Sequence, residues 1–278
     1  MIQFNYSSIE LYKKKEKYLM SSVIGEDIFY YGLYNISNNK LMAVKLISGL
    51  PKNYFTDEQQ LNKLFDQEGL LGENIAQCKM AFSTEHFSIL PTEIGPESLE
   101  GFAESFSGLF HDENYVLDFS SVEDLEFKFY YMMPVALKKC LSERFEDFKI
   151  HHFNAALLKG VSTTNGDFIF FNFLNDKLQT IVVKDGELLQ TNHYLIHGRD
   201  DALYFGLLNC RNFDFDPERD SFLLAGTLDV DSPQIQLFQR HFNKLDFIAE
   251  KDRLNYSNVF LGKSKHLFFD LECVRICE

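Results

Sequence analysis

Two stretches of this chain share one pattern, three strand-like runs joined by tight turns. The first stretch covers residues 18–47 and the second covers residues 165–196. In each, two runs of seven residues are predicted to flank a three-residue turn that ends in aspartate: Gly25-Glu26-Asp27 and Leu174-Asn175-Asp176. Gly, Asn and Asp supply the backbone angles that such turns require. The pattern therefore predicts two antiparallel three-stranded meanders in one chain.

The same succession of elements follows each meander. After the first, helices are predicted at 56–68, 135–145 and 154–161, with strands at 126–133 and 148–153 between them. After the second, helices at 200–213, 232–242 and 265–277 alternate with strands at 221–225 and 245–249. Helical spacing of apolar residues and capping residues carry these assignments. Both halves read β-β-β-α-β-α-β-α, so the topology is predicted to be duplicated.

This succession predicts an α/β chain of two halves, residues 1–162 and 163–278, facing each other across a cleft. Its 278 residues are enough for two medium domains, each with its own core. Residues 72–125 are less regular, and we interpret them as an insertion subdomain of the first half. Within it, residues 80–83 and 86–90 are predicted to form a hairpin around Thr84-Glu85.

Composition and charge exclude several classes of partner. Acidic residues outnumber basic ones 41 to 27, giving a formal charge of -14. Nucleic-acid affinity depends on Lys and Arg displacing counterions, so we expect no nucleic-acid partner. No run of residues has the length of a membrane span, which predicts no direct insertion. Five dispersed cysteines without a Cys-x-x-Cys pair favour reduced thiols and a cytoplasmic location.

Two segments of the sequence resemble a known protein family. They are residues 192–229, NHYLIHGRDDALYFGLLNCRNFDFDPERDSFLLAGTLD, and residues 87–94, FSILPTEI. With the duplicated topology, they resemble a Bacteroidetes family of uncharacterised function with an actin-like ATPase, ribonuclease-H-like fold. That family is similar in layout to pilus-assembly proteins of the PilM kind. The resemblance covers nearly the whole chain, but none of its motifs is a catalytic signature.

The resemblance also implies where a nucleotide would bind. In ATP-using members of this fold, the first turn of each half holds phosphate through backbone N–H groups and needs glycine. An aspartate beside each turn places Mg²⁺ through water, and a Gly-Gly-Thr strand end contacts adenosine. The matching positions here, which would bind nucleotide and Mg²⁺ if this chain does, are Gly25, Asp27, Asp176, Gly226 and Thr227.

Both predicted phosphate turns depart from that pattern. In the first, Glu26 adds negative charge where phosphate would lie. The second has no glycine, and the bulky Phe173 and Leu174 stand where backbone must approach a phosphate. The strand end 224–227 is one glycine short of the adenosine element. We therefore expect no cofactor, with ATP and Mg²⁺ as the alternative.

Other candidate chemistry is weaker, and we predict no catalytic residue and no metal site. His151 and His152 are adjacent on a strand, so their rings point to opposite faces. His193 and His197 fall at a strand end, where spacing of four does not align them. Cys273 and Cys277 lack two further zinc ligands, and Pro217 interrupts the acidic run 214–220 that superficially resembles a calcium loop.

These observations leave three functional hypotheses. The first is a non-catalytic cytoplasmic scaffold that keeps the actin-like frame and binds a protein partner. The second is a nucleotide-binding or ATP-hydrolysing protein with an unusual site. The third, a metal-dependent nuclease, is disfavoured by the acidic surface and the single aspartate in each turn.

Overall fold

The structure is a computed structural model that describes residues 2–8, 16–51, 53–70, 74–93, 101–102, 104–106, 108, 112–122, 126–248 and 255–277. Two compact units make up the chain. The first unit comprises residues 1–159, 254–261 and 273–278, and the second comprises residues 160–253 and 262–272. The C-terminal tail thus contributes to both units.

The first unit is built on a mixed sheet. Its strands in chain order are β1 (Ile2–Ser7), β2 (Tyr18–Ile24), β3 (Ile28–Asn35), β4 (Lys40–Ser48), β5 (Ile75–Phe82), β6 (Phe87–Pro91), β7 (Tyr115–Ser121), β8 (Phe127–Pro134) and β9 (Phe148–His152). The main sheet has the order β1-β4-β3-β2-β5-β9. Strands β2, β3 and β4 form the predicted antiparallel meander, and β5 and β9 extend it in parallel.

Helices and a second sheet complete the first unit. The helices are α1 (Glu58–Gln67), α2 (Val135–Arg144) and α3 (Phe153–Val161). Asp57 caps α1 by accepting from the backbone N–H groups of Gln59 and Gln60, so the helix begins two residues after its predicted start at residue 56. The second sheet is three-stranded, with the order β6-β8-β7.

The prediction for the fourth strand of the first half is wrong. Residues 126–133 were expected to follow the meander into the sheet, but Phe127–Pro134 is the middle strand of the three-stranded sheet. The fourth strand is instead Ile75–Phe82, which lies within the predicted insertion 72–125. The expected hairpin around Thr84-Glu85 is also wrong, because β6 pairs with β8 and not with β5.

The second unit is built on five strands. In the described part of the chain they are β10 (Phe168–Leu174), β11 (Lys177–Lys184), β12 (Glu187–Leu195), β13 (Ser221–Gly226) and β14 (Leu245–Phe247). The later strand β15 (Asn255–Tyr256) belongs to the first unit, where it pairs with β4. The order is β12-β11-β10-β13-β14, with an antiparallel meander and a parallel extension. When the strands are counted from the first strand of each meander, both main sheets have the same order, which is third, second, first, fourth and fifth. In the first unit, β1 lies beside β4 in addition to these five strands.

Of the described helices, one follows β12, one follows β13 and one lies after the last strand in the chain. They are α4 (Arg199–Asn212), α5 (Pro233–His241) and α6 (Phe269–Ile276), the last preceded by a 3₁₀ turn at Lys265–Phe268. Ser232 caps α5, because its hydroxyl accepts from the Ile235 N–H.

Aromatic side chains dominate the core of the second unit. Phe171 contacts Phe238 edge to face with ring centroids 5.1 Å apart, and it packs against Phe242 at 5.4 Å. Phe173 lies on the same face of β10 and also packs against Phe238. Since each buried aromatic side chain removes a large apolar surface from water, this face fixes the register of the sheet.

Candidate functional site

The turn between β10 and β11 has two residues, Asn175 and Asp176, because Leu174 belongs to the strand and pairs with Lys177. The predicted three-residue turn is therefore one residue too long. Asn175 has φ of 56°, in the left-handed region where asparagine is tolerated better than most side chains. Asparagine thus takes the conformational role that a glycine would otherwise fill. The turn between β2 and β3 does have three residues, as predicted.

Pairing of β10 with β13 brings three of the predicted site residues together. Phe173 is the register partner of Gly226, so Gly226 and Thr227 lie beside the turn that contains Asp176. The backbone N–H of Thr227 donates to the Phe173 carbonyl at 2.7 Å, and the Thr227 hydroxyl donates to the same oxygen at 3.2 Å. The hydroxyl also lies 3.3 Å from the Asn175 nitrogen and accepts its N–H. Thr227 thereby links the strand end to the turn.

Gly226 is required by the conformation and packing of the backbone at the end of β13. Its φ is +108°, and a Cβ built on it would lie 2.1 Å from the carbonyl oxygen of Phe173. No side chain fits such a distance, because real Cβ contacts are more than an ångström longer. The glycine that matches the adenosine element is thus explained by the close approach of β13 to β10.

The structure places the two bulky side chains beside the second turn on opposite faces of β10. Phe173 is fully buried, but its ring points into the helix-covered core and not toward the turn. Leu174 is also fully buried, on the other face of the strand. The side chain that contacts the backbone of the turn is that of Thr227, whose hydroxyl accepts from the Asn175 N–H. Asp176 remains exposed, and its carboxylate accepts from the Asn175 side chain at 3.4 Å.

The remaining two predicted site residues, Gly25 and Asp27, lie in the first turn of the first unit. The N–H of Gly25 donates to the Ile28 carbonyl at 3.1 Å, and the carbonyl of Asp27 accepts from Leu50 at 2.9 Å. A Cβ on Gly25 would meet Ile28 at 3.0 Å, so this glycine too serves close packing. Glu26 is exposed at the tip of the turn.

A pocket of about 210 Å³ lies beside this first turn. It lies at the carboxyl ends of the parallel strands β2 and β5. From β2 the chain continues into β3 on one side of that strand, and it later returns on the other side as β5. Open α/β sheets bind ligands at such positions. The described residues that line the pocket are Gly25, Glu26, Asn53, Phe55, Thr56, Phe82, Tyr115 and Pro134.

A buried polar group lies on the face of the second sheet opposite its aromatic core. Asn172 donates from its side-chain amide to Gln179 Oε1 at 3.1 Å, and both residues are fully buried. Asp270 of α6 is fully buried nearby, and burial raises the pKa of its carboxyl to about 8 against the smaller opposing effect of Asn172. Asp270 is therefore mostly protonated at pH 7. Sequence reasoning missed this group, although a polar residue inside FIFFNFL and an aspartate inside HLFFDLECV signal it.

His151 and His152, the adjacent histidines considered as candidate metal ligands, are both buried. His152 is fully buried among aromatic rings, with Phe87 at 4.4 Å and Tyr131 at 5.2 Å between ring centroids. Its Nε2 lies 3.2 Å from the Thr84 carbonyl, and burial lowers its pKa to about 3. Burial, with Lys79 and Lys149 nearby, lowers the pKa of His151 to about 4.

Within the described ranges, no group of three His, Cys, Asp or Glu side chains is placed to hold a metal ion. All five cysteines are free and buried. Of the helices that the structure describes, none combines the length and the apolar character needed to span a membrane.

The chain belongs to a family of proteins of unknown function, DUF3822, whose model matches residues 8–245. A solved structure from Bacteroides thetaiotaomicron, a protein with actin-like ATPase fold and unknown function, superposes with a TM-score of 0.72 at 16% identity. That match covers 95% of this chain and 98% of the other. The PilM-PilN type IV pilus biogenesis complex contains a chain that matches with a TM-score of 0.56 at 9% identity, over 92% of this chain and 97% of that one. None of the curated protein sequences matches.

The fold is therefore that of the actin-like ATPases, as the sequence resemblance predicted, and the predicted likeness to PilM is confirmed. At these identities the likeness defines the fold alone.

Proposed function

We propose that this protein is a non-catalytic scaffold of the cytoplasm that keeps the actin-like frame and binds a protein partner without using ATP. The observation that carries the proposal is the hydrogen bond from the Asn175 N–H to the Thr227 hydroxyl. Phosphate binding at such a turn depends on backbone N–H groups that point at the ligand. An N–H that already has an internal acceptor would have to lose it before it could bind a phosphate.

The electrostatics of both turns support the same proposal. Asp176 is exposed beside the second turn, and Glu26 is exposed at the tip of the first. The described chain has no lysine or arginine in either turn, from Gly25 to Asp27 or at Asn175 and Asp176. A nucleotide carries several negative charges, so each carboxylate raises the free energy of a phosphate placed there unless Mg²⁺ compensates.

A protein partner fits the remaining observations. The solved structure that contains the matching chain is a complex of PilM with PilN, and the protein described here has the same fold. The shared strand order of the two main sheets supports an internal duplication of the frame, with halves at about residues 1–162 and 163–278. Five buried free thiols support a reducing, cytoplasmic location.

Thermal unfolding in the presence of Mg-ATP tests the proposal against the nucleotide-binding alternative. A ligand that binds only the folded state stabilises it by RT ln(1 + [L]/Kd). We expect no change in Tm up to millimolar Mg-ATP, with magnesium sulfate at equal ionic strength as the control. A rise in Tm that Asp176→Ala abolishes would overturn the scaffold proposal and favour a nucleotide site at Asp176, Gly226 and Thr227.

A further inference from the structure

The pocket beside the first turn has the size of a single side chain. Its volume is about 210 Å³, below the roughly 300–1,000 Å³ of pockets that hold drug-sized ligands. Phe55 and Phe82 are buried, and Pro134 is the last residue of β8, so part of the pocket lining is apolar. Apolar and aromatic walls bind the aliphatic part of a side chain or the flat face of a planar group.

Charge and polarity are asymmetric in this pocket. Among the described lining residues, Glu26 alone carries a formal charge, and it is exposed at the rim. Burial raises the pKa of the Tyr115 hydroxyl, and the nearby carboxylates of Asp112 and Glu26 raise it further. The Tyr115 hydroxyl is thus neutral and lies within the field of Glu26. An anionic group would be repelled here, and a cationic group would be attracted.

We propose that this pocket binds an arginine side chain of a protein partner. Glu26 would pair with the guanidinium group, whose planar donors match a carboxylate in a bidentate arrangement. Phe55, Phe82 and Tyr115 would contact the aliphatic stem and the guanidinium face. The formal charge of -14 on the chain adds a long-range attraction for a basic partner. The proposal rests on the proposed scaffold function and names the chemistry of the partner.

Binding of a minimal arginine probe to the full-length protein tests this assignment. The probe is N-acetyl-arginine-N-methylamide, and its neutral isostere N-acetyl-citrulline-N-methylamide is the matched control. Amide resonances of Gly25 and Glu26 in ¹H–¹⁵N spectra report on the pocket. We expect saturable shifts with a Kd on the order of 1 mM, as ligand efficiency allows for so small a molecule. Citrulline should bind at least about ten-fold more weakly.

Variants separate the pocket from a general charge effect. Glu26→Gln should weaken arginine binding about ten-fold because the ion pair is lost. Tyr115→Ala should also weaken arginine binding, because it removes an aromatic side chain from the lining of the pocket. This variant tests the pocket even if the Glu26 variant does not fold. Glu143→Gln on α2 removes an exposed carboxylate outside the lining and should leave binding unchanged.

The outcomes distinguish this inference from the scaffold proposal. Equal binding of the citrulline probe, shifts confined to residues outside the lining, or no saturable shift at about ten times the expected Kd would each overturn the arginine assignment. None of these results bears on ATP. Stabilisation by Mg-ATP that depends on Asp176 would instead overturn the scaffold proposal, whatever the arginine probe does.

Discussion

The Thr227 hydroxyl accepts a hydrogen bond from the backbone N–H of Asn175, across the gap between the end of β13 and the turn after β10. The same hydroxyl donates to the carbonyl of Phe173. Both polar functions of one small side chain are thereby used to join two backbone segments. The sequence resemblance predicts that a phosphate would bind at this turn if the chain binds nucleotide, so the contact bears directly on the proposed function.

Thr227→Val should test the strength of this link. Valine keeps the shape of threonine but removes the hydroxyl, so the Asn175 N–H loses the acceptor that Thr227 provides, and the Phe173 carbonyl loses one donor. We expect the free energy of unfolding to fall by about 1–3 kcal/mol, because two hydrogen bonds are lost and each contributes about 0.5–1.5 kcal/mol. Urea denaturation at neutral pH measures it.

Thr227→Ser is the matched control, because it keeps the hydroxyl and loses one methyl group. Its cost should stay near 1 kcal/mol, about the value of one buried methylene-sized group. Equal losses for the valine and serine variants would mean that packing, and not the hydroxyl, matters at this position.

Gly226→Ala should be far more damaging than an ordinary glycine substitution. The left-handed φ alone costs about 1–3 kcal/mol for a residue with a side chain. The new Cβ would also overlap the Phe173 carbonyl, so β13 would have to move away from β10. We expect a total loss above about 3 kcal/mol or failure to fold, measured by denaturation and by soluble yield.

Gly198→Ala provides the comparison within the same unit. A Cβ at Gly198 meets nothing within 4 Å, and its φ of -170° is extended backbone. This variant should lose at most about 1 kcal/mol, from the weaker N-cap of α4. A Gly226→Ala protein as stable as Gly198→Ala would show that the strand end has room for a side chain.

Lys45 and Glu68 form an ion pair that should stabilise the first unit measurably. Lys45 Nζ lies 2.6 Å from Glu68, the two side chains are 16% and 11% exposed, and the Tyr31 hydroxyl donates to the same carboxylate at 2.8 Å. Lys45→Met would leave the Glu68 carboxylate poorly solvated without its cation. We expect the free energy of unfolding to fall by about 1–3 kcal/mol.

Lys139→Met breaks a comparable pair at the surface. Lys139 lies 2.7 Å from Glu58, but the side chains are 52% and 38% exposed. Solvent screens such pairs, so this variant should lose clearly less stability than Lys45→Met. If both lysine variants lose the same stability, partial burial does not strengthen the Lys45–Glu68 pair.

Asp270 should make stability decrease as the pH rises. Its carboxyl has a pKa of about 8 in the folded protein, while an unfolded aspartate titrates at about 3.9. Between these values the folded state holds a proton that the unfolded chain has released, so each rise in pH favours unfolding. The contribution is complete below about pH 4 and is lost as the pH passes 8.

Comparison with Asp270→Asn isolates this dependence. The buried histidines act in the opposite sense, since their lowered pKa values make stability fall as the pH drops below about 6.5. They are common to both proteins and cancel in the difference. The difference in unfolding free energy, wild type minus variant, should decrease steadily from pH 5 to pH 8. A flat difference would show that Asp270 does not hold its proton in the folded protein.

Sequence patterns sufficed for both meanders because their strands are adjacent in the chain and joined by short turns. The predicted runs 18–24 and 28–34 agree with β2 and β3 to within one residue. The fourth strand of the first unit was misassigned for a physical reason. The segment FKFYYMM is richer in aromatic residues than IAQCKMAF, yet pairing with β2 across a long connection, and not local pattern, decides which segment enters the sheet.

The contacts of the candidate site could not be read from the sequence for a similar reason. The sequence resemblance pointed to Gly226 and Thr227, but their contact partners Phe173 and Asn175 are more than 50 residues away along the chain. Only the parallel register of β10 and β13 brings them together. The pocket beside Gly25 likewise combines residues from the turn, the loop before α1 and the ends of β5, β7 and β8.

Direct binding of Mg-ATP is the measurement that tests the central claim. Equilibrium dialysis of the full-length protein against labelled Mg-ATP, at protein and nucleotide concentrations near 1 mM, detects any complex with a Kd up to that range. We predict no bound nucleotide above the level seen with Asp176→Ala. Saturable binding of one ATP per chain that Asp176→Ala abolishes would contradict the account and show that the Asn175–Thr227 contact does not prevent nucleotide binding.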